Sequence, residues 1–498
     1  MSVRSLASGH RPHKWAFALV VLFAATQLAA QNEEDALRIG TMRPQGTARS
    51  LGLGGAFGAL GGDAGALWVN PGAMALYTTT EFSITPGIEF HDASNTFYGT
   101  ASSNSDARIF FGNLALVLNF KPKEGSAMKG SSFGLVFDRT ASHHWERVAT
   151  GAVNSSLLQQ FADAAHGQLP EEFNQFTTDL AWQTYGINQI DSSLNYVSAI
   201  PAGAATEQRH TISTGGANTN TSFFYAGNYN NRLYFGAAIG ILGSKLERRI
   251  VQNETTSDED LDLKSLRYEE RLVTRGTGFD VKLGVVGRIT DQFRLGASLH
   301  SPAFFSLTDA YFSRMETSFR TPDSSGVYDY AWDSPDGSYS YRLNTPWRVL
   351  ASAAYIVGKR GVISVDYEYS SPRNMRFRTA DALVDDYDFG YENRRIKDLY
   401  RPTHSVRAGT EWRLGVLYLR GGVAWWMDPY VGTSELQGSD LMRYSLGGGF
   451  RKDRLSLDLT LAYDQRSGSY YTYGPDYVDP VRETTTAYRA LFTVAYRP

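Results

Sequence analysis

The chain has 498 residues, a formal net charge of −3 and no cysteine. The near-neutral balance offers no basic surface for nucleic acid, and the missing thiols exclude disulfide frameworks, thiol catalysis and cysteine-ligated zinc. A mean hydropathy of −0.31 excludes a polytopic helical membrane protein, which needs repeated apolar runs of about 20 residues. Aromatics make up 13% of the chain beside 48 glycines, a mixture suited to strands, tight turns and interfacial rings.

The first thirty residues read as a secretory signal. Arg4, Arg11 and Lys14 form a basic start, Trp15 to Thr26 an apolar stretch, and Leu28-Ala29-Ala30 a cleavage site before Gln31. The mature chain is therefore expected to be exported.

Residues 31–80 are rich in glycine and alanine and do not alternate like a strand. Within them, GALGGDAGALWVNPGAMALY (58–77) is almost long enough to span a bilayer, yet it contains Asp63 and the pair Asn70-Pro71. Pro71 stops a helix, and Asn70 can hydrogen-bond its own backbone in a turn. Asp63 is expected to cap a short helix over 64–69 or to pair with an arginine. Gly52-Leu53-Gly54-Gly55-Ala56-Phe57 begins like a dinucleotide fingerprint but has Phe57 at the third glycine and no strand–helix unit around it, so nucleotide binding is excluded.

From residue 81 the chain alternates. Phe279-Asp280-Val281-Lys282-Leu283-Gly284-Val285, Ile363-Ser364-Val365-Asp366-Tyr367-Glu368-Tyr369 and Leu455-Ser456-Leu457-Asp458-Leu459-Thr460-Leu461 each give one apolar and one polar face. Tight links at 229–231, 290–292, 358–360, 414–415 and 452–453 alternate with long polar segments at roughly 250–265, 303–337, 380–399, 429–439 and 469–483. That asymmetry belongs to a transmembrane barrel, with short periplasmic turns and long outer loops. The pattern predicts an all-β transmembrane fold, an antiparallel outer-membrane β-barrel of about fourteen strands beginning at residue 81. Its lumen receives Asp280, Lys282, Arg288, Arg294, Asp366, Glu368, Arg407, Glu411, Arg420, Asp458 and Arg489. Trp425 and Trp426 are adjacent, so one of them must leave the lipid face.

One outer loop, 140–217, carries helical patterning. Leu157, Leu158, Phe161, Ala165 and Leu169 recur at helical spacing, and a second stripe, Phe173, Phe176, Leu180 and Ala181, follows Pro170. Two short amphipathic helices either cap the barrel mouth or form a greasy entry surface.

Other motifs fail on context. Gly130-Ser131-Ser132-Phe133-Gly134 matches a nucleophile elbow but opens a barrel strand. His143-His144 stand without further ligands, and the acidic run 258–262 lacks the glycine and spacing of a calcium loop. No enzyme activity, metal or cofactor is expected.

The segment before the barrel resembles a known family. Ala48-Arg49-Ser50-Leu51-Gly52-Leu53-Gly54-Gly55-Ala56, then Gly62-Asp63-Ala64, then Val69-Asn70-Pro71-Gly72, resemble the N-terminal hatch of the FadL/TodX outer-membrane transporters, with Gly72 where that family usually has alanine. The resemblance implies a hatch over 31–80, inside a barrel over 81–498, with Asp63, Asn70, Pro71 and Gly72 at its turn. It also implies passive transport of hydrophobic small molecules, such as long-chain fatty acids, across the outer membrane of a Gram-negative cell. On that model Leu157, Phe161, Phe173 and Phe176 belong to the capture surface, and Arg407, Arg420 or Arg489 holds a carboxylate. The expected partners are a hydrophobic ligand and outer-membrane lipid, not nucleic acid, and the protein is expected to be a monomer. The alternative is a non-transporting barrel that holds partner proteins of a secretion system.

Overall fold

The computed structural model describes residues 33–43, 45–122, 125–190, 193–381, 385 and 387–498; the signal segment expected over 1–30 lies outside them. Fourteen antiparallel strands close into a barrel. They are β1 (Glu81–Phe97), β2 (Thr100–Phe120), β3 (Met128–Ser142), β4 (Thr206–Tyr229), β5 (Leu233–Thr255) and β6 (Leu263–Arg288). Then come three interrupted strands: β7 (Phe293–His300 and Phe304–Phe319), β8 (Gly337–Asn344 and Arg348–Val357) and β9 (Gly361–Ser370 and Arg376–Thr379). The wall continues with β10 (Thr403–Leu414), β11 (Leu417–Trp426), β12 (Leu441–Lys452), β13 (Leu455–Tyr470) and β14 (Val481–Tyr496). Each pairs with its chain neighbours, and β14 closes on β1 from Phe82↔Tyr496 to Thr96↔Arg482. The breaks in β7, β8 and β9 contain Pro302, Pro346 and Pro372, residues that cannot donate to a ladder.

The alternation read from the sequence is the wall itself. Along β6, Phe279, Val281, Leu283 and Val285 are exposed on the outside while Asp280, Lys282 and Val286 are buried inside. The matching outward rows, with Ile239 and Ile241 on β5 and Leu459 and Leu461 on β13, form the apolar belt that a bilayer requires. The tight links are real turns. Asn230 and Asn231 both sit at left-handed φ (53° and 54°), the geometry that joins two twisted strands in two residues.

The strands outrun their sequence signal at the outer end. β1 and β2 continue past residue 90 to a turn at Tyr98-Gly99, β7 continues to Phe319, and a short strand Trp145–Val153 pairs with the start of β4. The loop expected over 140–217 is therefore confined to 154–205. These extensions stand in water, with residues 106–109 exposed on both faces, so nothing selects an apolar–polar rhythm.

Residues 33–77 lie inside the barrel as a plug. It contains helices α1 (Glu33–Gly40), α2 (Ala48–Gly52) and α3 (Ala66–Val69), then a 3-10 turn Pro71–Leu76. It has no core of its own: Leu53, Phe57, Leu67 and Met74 share one apolar cluster with Val117, Val136, Phe224 and Val286 of the wall. Outside, the long loop folds into helices α4 (Leu157–Ala165) and α5 (Thr178–Gln183), and α6 (Gly390–Leu399) precedes β10.

Candidate functional site

The plug touches the inner side of every strand. On one side Gln45 reaches Glu89 of β1, Asn119 of β2 donates to the Tyr77 carbonyl, and Arg43 and Gln45 backbone N–H groups donate to Thr140 and Arg139 carbonyls of β3. Asn218 of β4 donates to the Ile39 carbonyl, and Gly236 of β5 lies against the Pro71 carbonyl. Across β6 to β9 the contacts are Asn70 to Val285, Ser298 to Val69, Ser352 to Gly58, and Asp366 to the Phe57 and Gly58 N–H groups. On β10 to β14 they are Glu411 with Arg49, Val423 with Gly54, Ser445 with Gly52, Thr460 with Ala48 and Thr493 with Ala48.

Asn70 is the hub of one seat. Its Oδ1 accepts from Gly72 N at 2.9 Å, and its Nδ2 donates to the Gly58 and Val285 carbonyls at 2.8 and 3.0 Å. The side chain thus caps the 3-10 turn in which Pro71 holds the first position and ties it to the wall. Gly72 has a structural reason. A Cβ there would stand 2.7 Å from the Gly284 carbonyl oxygen and 2.9 Å from Val285 Cα, so alanine does not fit against this β6. Asp63 Oδ1 accepts from Gly65 N at 2.9 Å, the capping bond of the turn that runs into α3 (Ala66–Val69), and from Thr47 Oγ1 at 2.6 Å, locking two plug turns together.

An ionic clamp holds the opposite side. Glu411 accepts from Arg49 Nε and Nη2 at 2.8 and 2.9 Å and from Arg420 Nε at 2.6 Å. Arg420 also pairs with Asp458 at 2.7 Å and is fully buried. Of the arginines expected to hold a carboxylate, Arg420 is therefore consumed by the clamp. Arg407 faces Glu368 at 3.3 Å and Asp366 at 4.0 Å, beside a water-sized cavity of about 20 Å³. Arg489 pairs with Asp464 and Glu89 but also lines a larger cavity.

That cavity, about 240 Å³ between the plug, β3 and the upper parts of β12 to β14, is bordered by Arg38, Arg43, Arg147, Arg443, Arg466 and Arg489. Sequence alternation points to Arg489, but Arg43 lies on a plug segment with no periodic signal. Its guanidinium sits over the Trp426 ring at 5.7 Å. Trp426 is thus the inward member of the tryptophan pair, while Trp425 donates to Asp440. Burial, with Arg466 and Arg443 nearby, lowers the Arg43 pKa to about 10, so the group stays charged at neutral pH.

The outer loop spends its apolar stripe on itself. Leu157, Phe161 and Phe173 are at most 5% exposed and pack with Leu180, Tyr196 and the wall residues Leu266, Tyr268 and Met315. Phe176 is half-buried against Tyr311 at 4.9 Å. These four therefore form a cap rather than a free capture surface; helical spacing reveals an apolar face but not what covers it. Phe161→Ala is expected to cost the loop about 3–5 kcal/mol. Faster protease cleavage within 154–205, with unchanged unfolding of the barrel, checks this.

Belt, closed wall and internal plug define an outer-membrane-type barrel. No family model and no curated protein matches the sequence. Among solved structures, the chain is similar to a Pseudomonas aeruginosa FadL homologue (TM-score 0.55, 14% identity, 92% of this chain and 99% of that one). It is also similar to the Pseudomonas putida toluene transporter TodX (TM-score 0.51, 12% identity, 92% and 99%). The likeness establishes the fold, which is that of the FadL/TodX barrels.

Proposed function

We propose that this protein is a passive transporter of hydrophobic small molecules in the outer membrane of a Gram-negative cell, acting as a monomer and without enzymatic chemistry. The observation that carries the reading is an internal segment that touches all fourteen strands, in a fold shared with a toluene transporter and a FadL homologue. An internal plug that meets the whole wall makes passage conditional on its rearrangement, which suits a selective carrier rather than an open pore. Because Leu157, Phe161 and Phe173 are buried, capture falls to the loop residues left exposed, Leu169, Tyr185, Ile190 and Val197. The Asn70 seat is the proposed hinge of the hatch.

The test is saturable binding and uptake of labelled palmitate and toluene by protein in vesicles and in cells. Asn70→Ala removes a turn cap and two ties to the neighbouring backbone, and uptake is expected to fall at least severalfold with binding partly retained. Unchanged uptake in this variant rules out the hinge, and no binding of either ligand rules out the transport reading. The polar lining of the 240 Å³ cavity favours the alternative, a scaffold for secretion partners. Stable co-purification of such partners, together with absent ligand binding, decides for it.

A further inference from the structure

The 240 Å³ cavity combines a surplus of positive charge with unused hydrogen-bond donors. Its lining has six arginines against three carboxylates, Glu34, Asp464 and Glu483. Four of the arginines are matched at close range: Arg38 by Asp35 at 3.1 Å, Arg147 by Glu483, Arg443 by Asp464 at 2.7 Å, and Arg489 by Asp464. Arg466 comes only within 3.9 Å of Asp428. Arg43 makes no side-chain hydrogen bond or ion pair among the described residues, and its Nε is buried without a partner. Arg43 thus has no close counter-charge, and Arg466, its side chain 35% exposed, has only the Asp428 carboxylate at 3.9 Å. Arginine does not shed its proton to escape burial, so an anion in the cavity would balance the buried Arg43 and find a second cation in Arg466.

The same wall holds two hydroxyls with no hydrogen-bond partner among the described residues. Thr140 is 0% exposed and Tyr470 is 7% exposed; Thr140 Oγ1 and the Tyr470 hydroxyl are both buried and unpartnered, and both residues line the cavity. Gln45 Oε1 is an unpaired acceptor beside them, suited to a bridging water. Guanidinium forks and hydroxyl donors together match an oxyanion, which accepts at several oxygens. A phosphate monoester offers three acceptor oxygens where a carboxylate offers two, so it can meet the guanidiniums and the hydroxyls together. The volume is below the roughly 300–1,000 Å³ of pockets for drug-sized ligands, so it suits a compact head and not a long chain.

We propose that this cavity is a binding site for a doubly charged oxyanion, a phosphate either free or as the monoester head of an amphiphile, held by Arg43 and Arg466 with the Thr140 and Tyr470 hydroxyls. The inference rests on the charge and donors of the cavity and is independent of the transport reading.

Equilibrium binding to the full-length barrel in neutral detergent tests it, with inorganic phosphate, decyl phosphate, decanoate and decanol as probes. Phosphate or decyl phosphate is expected to bind saturably, more weakly as salt rises, and decanoate at least about tenfold less tightly. Arg43→Met and Arg466→Met are each expected to weaken phosphate binding about tenfold or more. Arg43→Met removes an uncompensated charge, so the barrel should stay folded by its heat-dependent gel mobility. Binding of decyl phosphate alone assigns the head to an amphiphile, and binding of inorganic phosphate assigns a soluble anion. Failure of both phosphates, equal affinity for decanoate, or full binding by Arg43→Met overturns the proposal. Palmitate uptake that survives any of these outcomes leaves the transport reading standing.

Discussion

Gly422→Val is expected to leave the barrel closed but to unseat the plug, while Gly421→Val next to it changes neither. The two glycines occupy opposite faces of β11. A Cβ on Gly422 would lie 2.1 Å from Gly54 N and 2.3 Å from Leu53 C, both plug backbone, whereas the nearest atom to a Cβ on Gly421 is Leu446 Cδ2 at 3.8 Å. Neither plug atom can swing away as a side-chain tip would, because Gly54 is itself pressed on Val423 and holds φ at +65°. Gly409 on β10 makes the same kind of seat, with a Cβ 2.3 Å from the Leu53 carbonyl oxygen. Overpacking in a core costs about 1–3 kcal/mol and more where backbone is in the way, while valine is a good strand residue. The strain therefore falls on the plug contact and not on strand pairing. Liposome swelling with small sugars should rise severalfold in Gly422→Val, with heat-dependent gel mobility preserved in both variants. Unaltered swelling would show that the glycine seat does not hold the plug closed.

The second large effect is expected at Glu411. One carboxylate serves Arg49 of the plug and Arg420 of the wall, with side-chain exposures of 8%, 9% and 0%. Glu411→Leu leaves Asp458 as the close partner of Arg420 and strands Arg49 in the lumen. Breaking a buried pair in this way costs about 3–5 kcal/mol, because a charge is left uncompensated. Arg49→Met combined with Glu411→Leu removes the plug's stranded charge and should recover part of that loss. Urea unfolding of the barrel in vesicles measures both variants. A single variant that loses less than about 1 kcal/mol, as an exposed pair would, contradicts the clamp.

Both effects act on the middle of the plug, which is attached differently from its first part. The middle, from Ala48 to Met74, is docked flush against glycines and buried donors. The first part, from Glu33 to Gln45, is held by ion pairs such as Asp35–Arg248 at 2.9 Å and Glu33–Arg395 at 3.1 Å, and it borders the arginine cavity. The exposed Glu33–Arg395 pair weakens with salt, whereas the buried Asp35–Arg248 pair is screened much less.

Much of the architecture is legible in the sequence. A period of two over seven or more residues cannot place the Leu455–Leu461 stretch anywhere but on a two-faced strand, and the contrast between two-residue turns and long polar loops separates a membrane barrel from a sandwich. Asn70 and Pro71 announce a turn by their own chemistry. The strand ends in water carried no such signal, since the Ser-Ser-Asn-Ser run at 102–105 is polar on both faces. The candidate site was less legible. Alternation assigns Arg407, Arg420 and Arg489 alike to the lumen, yet Arg420 is sealed in a clamp and Arg489 borders a cavity, because the partner of a lumen charge comes from a strand or plug segment far away in sequence. Arg43 carries no such signal at all, because its plug segment has no period.

By itself, then, the sequence determined the wall: which faces meet lipid, where the tight turns fall, and that a small-residue segment precedes the first strand. These follow from local rules, the pleat of a strand and the φ preferences of turn residues, which act over a few neighbours. Only the tertiary structure decided which glycines face the plug, why Gly72 has no room for a methyl, that the loop's apolar stripe is buried, and which arginines remain uncompensated. Each of those depends on distances between residues hundreds of positions apart, set by barrel closure around the plug and by no local pattern.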